Sequence, residues 1–266
     1  MPLEIHAFPG NKVETQTIIP VVKAFQERNQ VADMVVVPET GMLSAGNLDA
    51  PDQAGLRFIV GSRMVDAPDD LAHHFHYQGI VPDDRDLVDT NTMRRGRPDP
   101  NRVTTAHETV WVPGTGVKHW RAVWQYRRKR AVRDHHPLDL QRDRATAIID
   151  GNKPAKSARF VQNKGGQKAF DQASFFRAYD MAGWKGYVTN IPATLMPAAE
   201  VVSSYHDLWQ VEQSFRMSKT DLRARPIFHH TKDGVDAHFT IVFVALAIAR
   251  YLQTRSGIAI KHWSNS

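Results

Sequence analysis

The chain has 266 residues, of which 42% are hydrophobic and 23% charged, a composition that excludes a disordered or collagen-like protein. It contains no cysteine, which excludes disulfides, thiolate nucleophiles and cysteine-based zinc sites. Its 34 lysines and arginines against 28 acidic residues leave a formal charge of +6, which favours a polyanionic partner such as nucleic acid without identifying one.

The first sixty residues alternate between strand and helix signals. Residues 3–8 alternate apolar and polar side chains like a half-buried strand, and helical spacing of apolar residues then predicts a helix that stops near Asn29. The runs at 35–37 and 57–60 have the composition of buried strands. This order of elements predicts an α/β fold.

The composition and the apolar periodicity change in the middle of the chain. Residues 62–175 carry arginine clusters and little apolar periodicity, so we predict an inserted subdomain between a first core segment, 1–61, and a last one, 176–266. Residues 164–166 are predicted to form a loop and 186–189 a short strand.

The last core segment contains the two strongest helix signals, over 198–222 and 236–256. We predict that Asp233 caps the second helix and that Gly257 ends it. Its apolar run, 239–249, is shorter than the ~20 residues that span a bilayer, so a buried helix is expected there. With no signal peptide in MPLEIHAFPGNK, we expect a cytoplasmic protein without a membrane partner.

One face of the helix over 198–222 carries chemically active side chains. On a helical wheel, a stripe about 80° wide collects an acid, two cations and two aromatic residues, namely Tyr205, Trp209, Glu212, Arg216 and Lys219. The neighbouring stripe is apolar and is predicted to pack, with Leu208, Val211, Phe215 and Leu222. A carboxylate facing anionic DNA requires such a face, but intrahelical ion pairs on a solvated face have the same spacing.

These residues resemble the DDE transposases of bacterial insertion sequences, in the IS-four-like group. The family signature is Tyr, two residues, Arg, three residues, Glu, six residues, Lys; here Tyr205, Glu212 and Lys219 match it, with Leu208 at the Arg position. The string YHDLWQVEQSFRMSKTDLRARPIF carries this match. The segments FPGNKVETQTIIPVV, VVVPETGMLSAGNL, FIVGSR, GYVTNI and AHFTIVFVALAIARYLQ extend it over almost the whole chain.

The resemblance implies an RNase H-like fold, a mixed sheet flanked by helices and interrupted by the insertion. It also implies three carboxylates that hold two Mg²⁺ ions and cut and rejoin DNA. Glu212 would be the third of these catalytic, metal-binding carboxylates. Tyr205 and Lys219 would contact phosphates of double-stranded transposon ends, with Arg216 replacing the missing Arg. The protein would then be nucleoid-associated in the cytoplasm and act as a homodimer on DNA.

Two departures from the family pattern bear on activity. The second catalytic and metal-binding carboxylate, an Asp in the family, is Glu39 here. The first Asp lies upstream of the family segment that matches residues 3–8, and no residue of this chain matches it. We therefore expect a C-terminal part of a transposase, without its N-terminal strands and inactive alone. The alternative is a DNA-binding remnant without catalysis.

A second basic cluster, defined by Arg127, Arg128, Lys129 and Arg130, could contact DNA phosphates while nearby aromatic residues stack on bases. Those aromatic residues are Trp120, Trp124 and Tyr126. A solvated basic segment has the same composition, and the sequence leaves both interpretations open. The histidines at 73, 74 and 76 are predicted to lie in a polar loop, and no zinc site is assigned to them.

Overall fold

The computed structural model describes residues 3–6, 8, 14–38, 48–62, 82–89, 93–95, 103–105, 120–154, 158–220, 222, 224 and 226–257. The chain divides into two compact units. The first comprises residues 1–37 and 203–266, and the second comprises residues 38–202.

Seven helices and nine strands follow one another along the described residues. They are α1 (Glu14–Asn29), β1 (Val35–Val36), α2 (Asp49–Gln53), β2 (Arg57–Ser62), β3 (Leu87–Asp89), β4 (Met93–Arg95), β5 (Val103–Thr105), β6 (Arg121–Tyr126), α3 (Arg128–Ile149), β7 (Val161–Lys164), β8 (Gln167–Phe170), α4 (Gln172–Asp180), β9 (Trp184–Thr189), α5 (Ala198–His206), α6 (Leu208–Thr220) and α7 (Lys232–Ser256).

An antiparallel arrangement of strands organises the second unit, in the order β2-β9-β6-β3. All residues of β6 are buried, and β9 is buried except at one intermediate position. β1, β2 and β9 lie on the segments predicted as strands at 35–37, 57–60 and 186–189. The loop predicted at 164–166 overlaps the turn that joins β7 to β8. The predicted α/β class is confirmed.

The two central strands meet at an unusually close contact. Gly186 of β9 lies opposite Trp124 of β6, whose side chain is fully buried. A Cβ added at Gly186 would lie 2.5 Å from Cζ3 of the Trp124 indole, well inside van der Waals contact. The indole therefore occupies the space that any larger residue at position 186 would need.

A second group of buried side chains joins α3, α4 and the β7–β8 hairpin. It contains Leu138, Ala145, Phe160, Phe175 and Ala182. The rings of Phe160 and Phe175 meet edge to face with centroids 5.3 Å apart, a favourable aromatic geometry. The Asp171 carboxylate caps α4 by accepting hydrogen bonds from the Ser174 hydroxyl at 2.7 Å and from its N–H at 3.2 Å. These hydrogen bonds hold the pKa of Asp171 below its ordinary value.

The first unit begins with a segment that differs from the prediction. Residues 3–6 and 8, predicted as part of a strand, are not in one, and Leu3 is 71% exposed. Alternating polarity makes a strand only where a neighbouring strand receives its backbone hydrogen bonds. Here the Glu4 carboxylate accepts a hydrogen bond from Arg28 of α1 at 2.8 Å, and this bond lowers the pKa of Glu4.

Helix α7 also differs from the prediction in its start and its burial. The Thr231 hydroxyl, rather than Asp233, caps it by accepting a hydrogen bond from the N–H of Gly234. Gly257 ends the helix as predicted, with a left-handed φ of 69°. The prediction that this helix is buried is wrong, because Ile241 is 71% exposed. Within the described part of the chain, α7 alone is long and apolar enough to cross a bilayer by length and composition, a test that core helices of soluble proteins also pass.

The predicted insertion shares a sheet with the predicted core. β3 and β6, from residues 62–175, pair in the same sheet as β2 and β9, which come from residues 1–61 and 176–266. The domain boundaries, the missing N-terminal strands and the RNase H-like topology stay predictions.

The contact between Gly186 and Trp124 yields a stability prediction. Gly186→Ala should lower the free energy of unfolding by about 1–3 kcal/mol, because the new methyl group overpacks against a buried indole. Urea denaturation measures this loss. In a Trp124→Phe background the smaller ring leaves room, and the same substitution should cost less. An equal cost in both backgrounds would contradict the steric explanation.

Candidate functional site

The predicted helix over 198–222 is in fact two helices. Helix α5 ends at His206 and α6 begins at Leu208. Asp207 lies between them; its N–H donates to the carbonyl of Ser203 and its carbonyl accepts from the N–H of Gln210. Aspartate favours helix boundaries over helix interiors, which explains the break. The predicted active stripe is therefore divided, with Tyr205 on α5 and its other members on α6.

The members of the stripe on α6 face solvent. Glu212, Arg216 and Lys219 are exposed, and Trp209 is 57% exposed. Met217, on the opposite side of the helix, is 6% exposed and packs against α7. A carboxylate and two cations thus lie on one accessible face.

Tyr205 differs from these residues in its burial. Its side chain is 6% exposed, in contrast to the exposed charges of α6. A contact between the Tyr205 hydroxyl and a DNA phosphate stays a prediction.

The apolar stripe predicted beside the active one is not the surface through which α6 packs. Val211 is 47% exposed and Phe215 is 55% exposed, so the prediction is wrong for them. Leu222 does pack against the cluster of Met217, Leu246 and Ala249. Helical spacing identifies an apolar side of a helix, but the position of α7 decides which side is covered.

The pairing of the two predicted metal ligands stays a prediction. Glu39 lies outside the described residues, because the described range 14–38 ends one residue before it. Glu212 offers a hard carboxylate donor of the kind Mg²⁺ prefers. Among the described residues, no group of three or more His, Asp or Glu side chains could hold a metal ion.

The basic cluster 127–130 lies where β6 passes into α3, and acidic residues partly neutralise it. Arg127 Nε lies 3.6 Å from Asp84 Oδ1, and an Arg128 Nη lies 3.8 Å from Asp83 Oδ1. Both arginine side chains remain 40% or more exposed, and Lys129 is exposed. The cluster thus keeps accessible positive charge at the start of α3.

The aromatic residues near this cluster do not face solvent. Trp120 is 6% exposed, Trp124 is fully buried and Tyr126 is 9% exposed. Their burial therefore disfavours base stacking, one of the two interpretations that the sequence left open, for these side chains. A strand with all its residues buried uses its aromatic side chains for packing. Burial also raises the pKa of the Tyr126 hydroxyl.

The structure shows a polar cluster that the sequence analysis missed. Arg121, 9% exposed, donates to both carboxylate oxygens of Asp89, with the shortest bond 2.6 Å, and to the carbonyl of Met196 at 2.6 Å. A cavity of about 400 Å³ lies beside it, lined in part by Asp52 and Asn190. Because Asn190 binds Asp52 and the backbone of Leu56 and Phe58, this cluster joins α2 to β2 and β9. The sequence signal that could have identified this cluster is an arginine at the start of an otherwise largely apolar strand segment, RAVWQY.

The polar loop predicted for the histidines at 73, 74 and 76 lies outside the described residues. His229 and His230 are exposed and lie before α7, outside any helix or strand.

The exposure of Glu212 and the burial of Met217 predict different effects on stability. Glu212→Gln should change the free energy of unfolding by less than about 0.5 kcal/mol, since the side chain is exposed. Met217→Ala should cost about 2–5 kcal/mol, because it removes the centre of the α6–α7 contact. Thermal and urea unfolding of both variants measure this contrast. A large loss in Glu212→Gln would place Glu212 in the packing of the helix.

Comparison with known proteins gives one family. The model of a family described as "Transposase DDE domain" matches residues 1–248 of the chain. No curated protein matches the chain, and no solved structure matches it.

Proposed function

We propose that this chain, which belongs to the transposase DDE domain family, binds the DNA ends of an insertion sequence of the IS-four-like group through α6. The observation that carries the proposal is the exposed row of Glu212, Arg216 and Lys219, in the segment that resembles the family signature and lies within the matched residues 1–248. In this proposal the row faces the phosphodiester that is cleaved and joined during transposition.

The charges on α6 suit a polyanion. Arg216 and Lys219 lie within two helical turns of Glu212, so a phosphate near the carboxylate also meets two cations. Duplex DNA carries a dense row of phosphates, and each cation that neutralises one releases a bound counterion. The partly exposed cluster 127–130 adds a second contact to the DNA backbone.

The chemistry in this proposal is phosphodiester cleavage and strand transfer. Divalent metals, normally Mg²⁺, would activate the attacking oxygen and neutralise the phosphate when they are bound. Glu212 and Glu39 are the residues that we assign as ligands, and Glu212 is the one that lies on an exposed face among the described residues.

We further propose that residues 1–266 lack the complete ligand set of the family. By the resemblance, one family Asp has no match in this chain, and Glu39 stands where another is expected. The extra methylene of a glutamate displaces the carboxylate by about an ångström, and a misplacement of that size can cost about a hundredfold in rate. We therefore infer that the polypeptide 1–266 binds DNA without cleaving it.

A second candidate function is DNA binding without any catalytic role. The observation that favours it is Glu39 itself, since a chain that no longer cleaves DNA tolerates a lengthened ligand. Under both candidates we place the protein in the cytoplasm on the nucleoid, as a homodimer on double-stranded DNA and not on a membrane.

DNA binding should weaken as salt rises. Lys219→Ala should weaken binding to duplex DNA equally for different sequences and reduce the slope of log K against log salt by about 1, because one phosphate contact is lost. Fluorescence anisotropy at several salt concentrations measures this slope. Lys153→Ala, which removes an exposed lysine elsewhere, is the matched control and should leave the slope closer to wild type. Binding that does not depend on salt would refute the proposed contact.

The polypeptide 1–266 should not nick supercoiled plasmid with Mg²⁺ or Mn²⁺, because two of the family's three carboxylates are absent or lengthened. Glu39→Asp alone should not restore nicking. Glu39→Asp in a chain extended at its N-terminus by a family strand with its Asp is the variant expected to gain it. Metal-dependent nicking by the unextended chain, lost in Glu212→Gln, would show that another residue supplies the missing carboxylate.

A further inference from the structure

A turn rich in acidic residues lies against the start of α3, within the second unit. Residues 83–86 have the sequence DDRD, and the N–H of Asp86 donates to the carbonyl of Asp83 at 3.0 Å, which closes the turn. The N–H of Arg85 donates to the carbonyl of Tyr126 at 3.0 Å, and the N–H of Tyr126 donates to the carbonyl of Asp86 at 3.0 Å. These hydrogen bonds fix the segment, called here the acidic turn, to the end of β6.

The acidic turn occupies groups at the start of α3 that are suited to bind an anion. The Asp84 carboxylate accepts a hydrogen bond from the N–H of Arg128 at 2.8 Å, and the same oxygen lies 3.6 Å from Nε of Arg127. The Asp83 carboxylate lies 3.8 Å from the Arg128 guanidinium. N–H groups at the start of a helix and neighbouring guanidinium groups are also donors that bind phosphate. The two carboxylates therefore hold positions that a phosphate of DNA could take.

These ion pairs are of a kind that exchanges readily. The side chains of Arg128 and Asp83 are 69% and 88% exposed, and those of Arg127 and Asp84 are 40% and 42% exposed. Exposed ion pairs contribute little to folding because water and salt screen them. Duplex DNA can thus replace the carboxylates as the partner of the arginines at little cost in folding free energy. The negative charge of the turn then remains beside the bound phosphates.

We propose that the acidic turn is an internal competitor that lowers the affinity of the cluster 127–130 for DNA. This inference rests on the proposed contact between that cluster and DNA. In the free protein, Asp83 and Asp84 neutralise part of the positive charge of the cluster. Phosphates that approach the arginines must displace these carboxylates or bind next to them, and like charges at such distances repel. The competition reduces binding to any DNA that contacts this cluster alone.

The alternative is a turn with a structural role only. Asp84 does have such a role, because it satisfies the N–H of Arg128 at the start of the helix. Asp83 differs from it: among the described residues, its carboxylate contacts one charged partner, the Arg128 guanidinium. A structural role therefore predicts an effect on stability at Asp84 and no effect on DNA affinity at Asp83. Substitution of Asp83 separates the two interpretations.

Fluorescence anisotropy of the full chain with a labelled DNA duplex tests the competition. Asp83→Asn should lower the dissociation constant by about three- to tenfold at low salt, because it removes a negative charge within a few ångströms of the phosphates. The gain should shrink as salt rises. Asp150→Asn is the matched control, since it removes the same charge from an exposed residue at the other end of α3, about 30 Å away. It should change the dissociation constant by less than about twofold.

A double-mutant cycle tests whether the carboxylate acts through its arginine. Arg128→Ala should weaken DNA binding, and Asp83→Asn should have little effect in that background, because the group for which carboxylate and phosphate compete is absent. Asp84→Asn should also tighten binding, since the amide oxygen can still accept the hydrogen bond at the start of α3. Circular dichroism and urea unfolding check that each variant is folded, and the unfolding midpoint of Asp83→Asn should equal that of Asp150→Asn.

The outcomes separate this inference from the proposed DNA contact. Tighter binding by Asp83→Asn that depends on Arg128 supports the competition. Weaker binding by Arg128→Ala, with equal affinities for Asp83→Asn and Asp150→Asn, would overturn the competition and leave the DNA contact of the cluster in place. DNA affinity that neither Arg128→Ala nor Asp83→Asn changes would overturn both the contact and the competition.

Discussion

The close contact between Trp124 and Gly186 is the constraint on which the second unit depends. It fixes which residues of β6 and β9 lie opposite each other, and these two strands connect β2 on one side to β3 on the other. A shift of one residue in this register would turn every buried side chain of β9 to the opposite face. The polar cluster around Arg121 then fixes the end of the same strand pair, because its guanidinium binds Asp89 of β3 and the carbonyl of Met196. Packing and buried hydrogen bonds thus specify one arrangement together.

The described buried core of the first unit is a small cluster between α6 and α7. Met217, Leu246 and Ala249 join α6 to α7, and few other side chains of these helices are buried. The contact leaves Glu212 and Lys219 exposed on one helix and Ile241 exposed on the other. One helix pair therefore exposes charged side chains on α6 and apolar side chains on α7.

The family signature was readable because it depends on local spacing. Glu212, Arg216 and Lys219 fall on one face of any helix that contains them, and the structure places all three on the exposed face of α6. The break at Asp207 was not predicted, since wheel spacing continues through a helix boundary without any change in the pattern. The role of Trp120 and Trp124 was left open by the sequence for a related reason. Aromatic residues beside arginines are common both on nucleic-acid surfaces and in buried strands, and only burial distinguishes the two.

The sequence by itself determined the α/β class, the strand β2 and most of β9. It also determined the helical character of 198–222 and 236–256, without the break at Asp207, and the family membership suggested by the signature. These follow from periodicity and spacing, which act between residues close in the chain. The tertiary structure alone decided that β6 lies beside β9, that α6 packs through Met217 and that the apolar side of α7 at Ile241 is exposed. These depend on contacts between residues far apart in the chain, and a periodic pattern states that a face is apolar without stating what covers it.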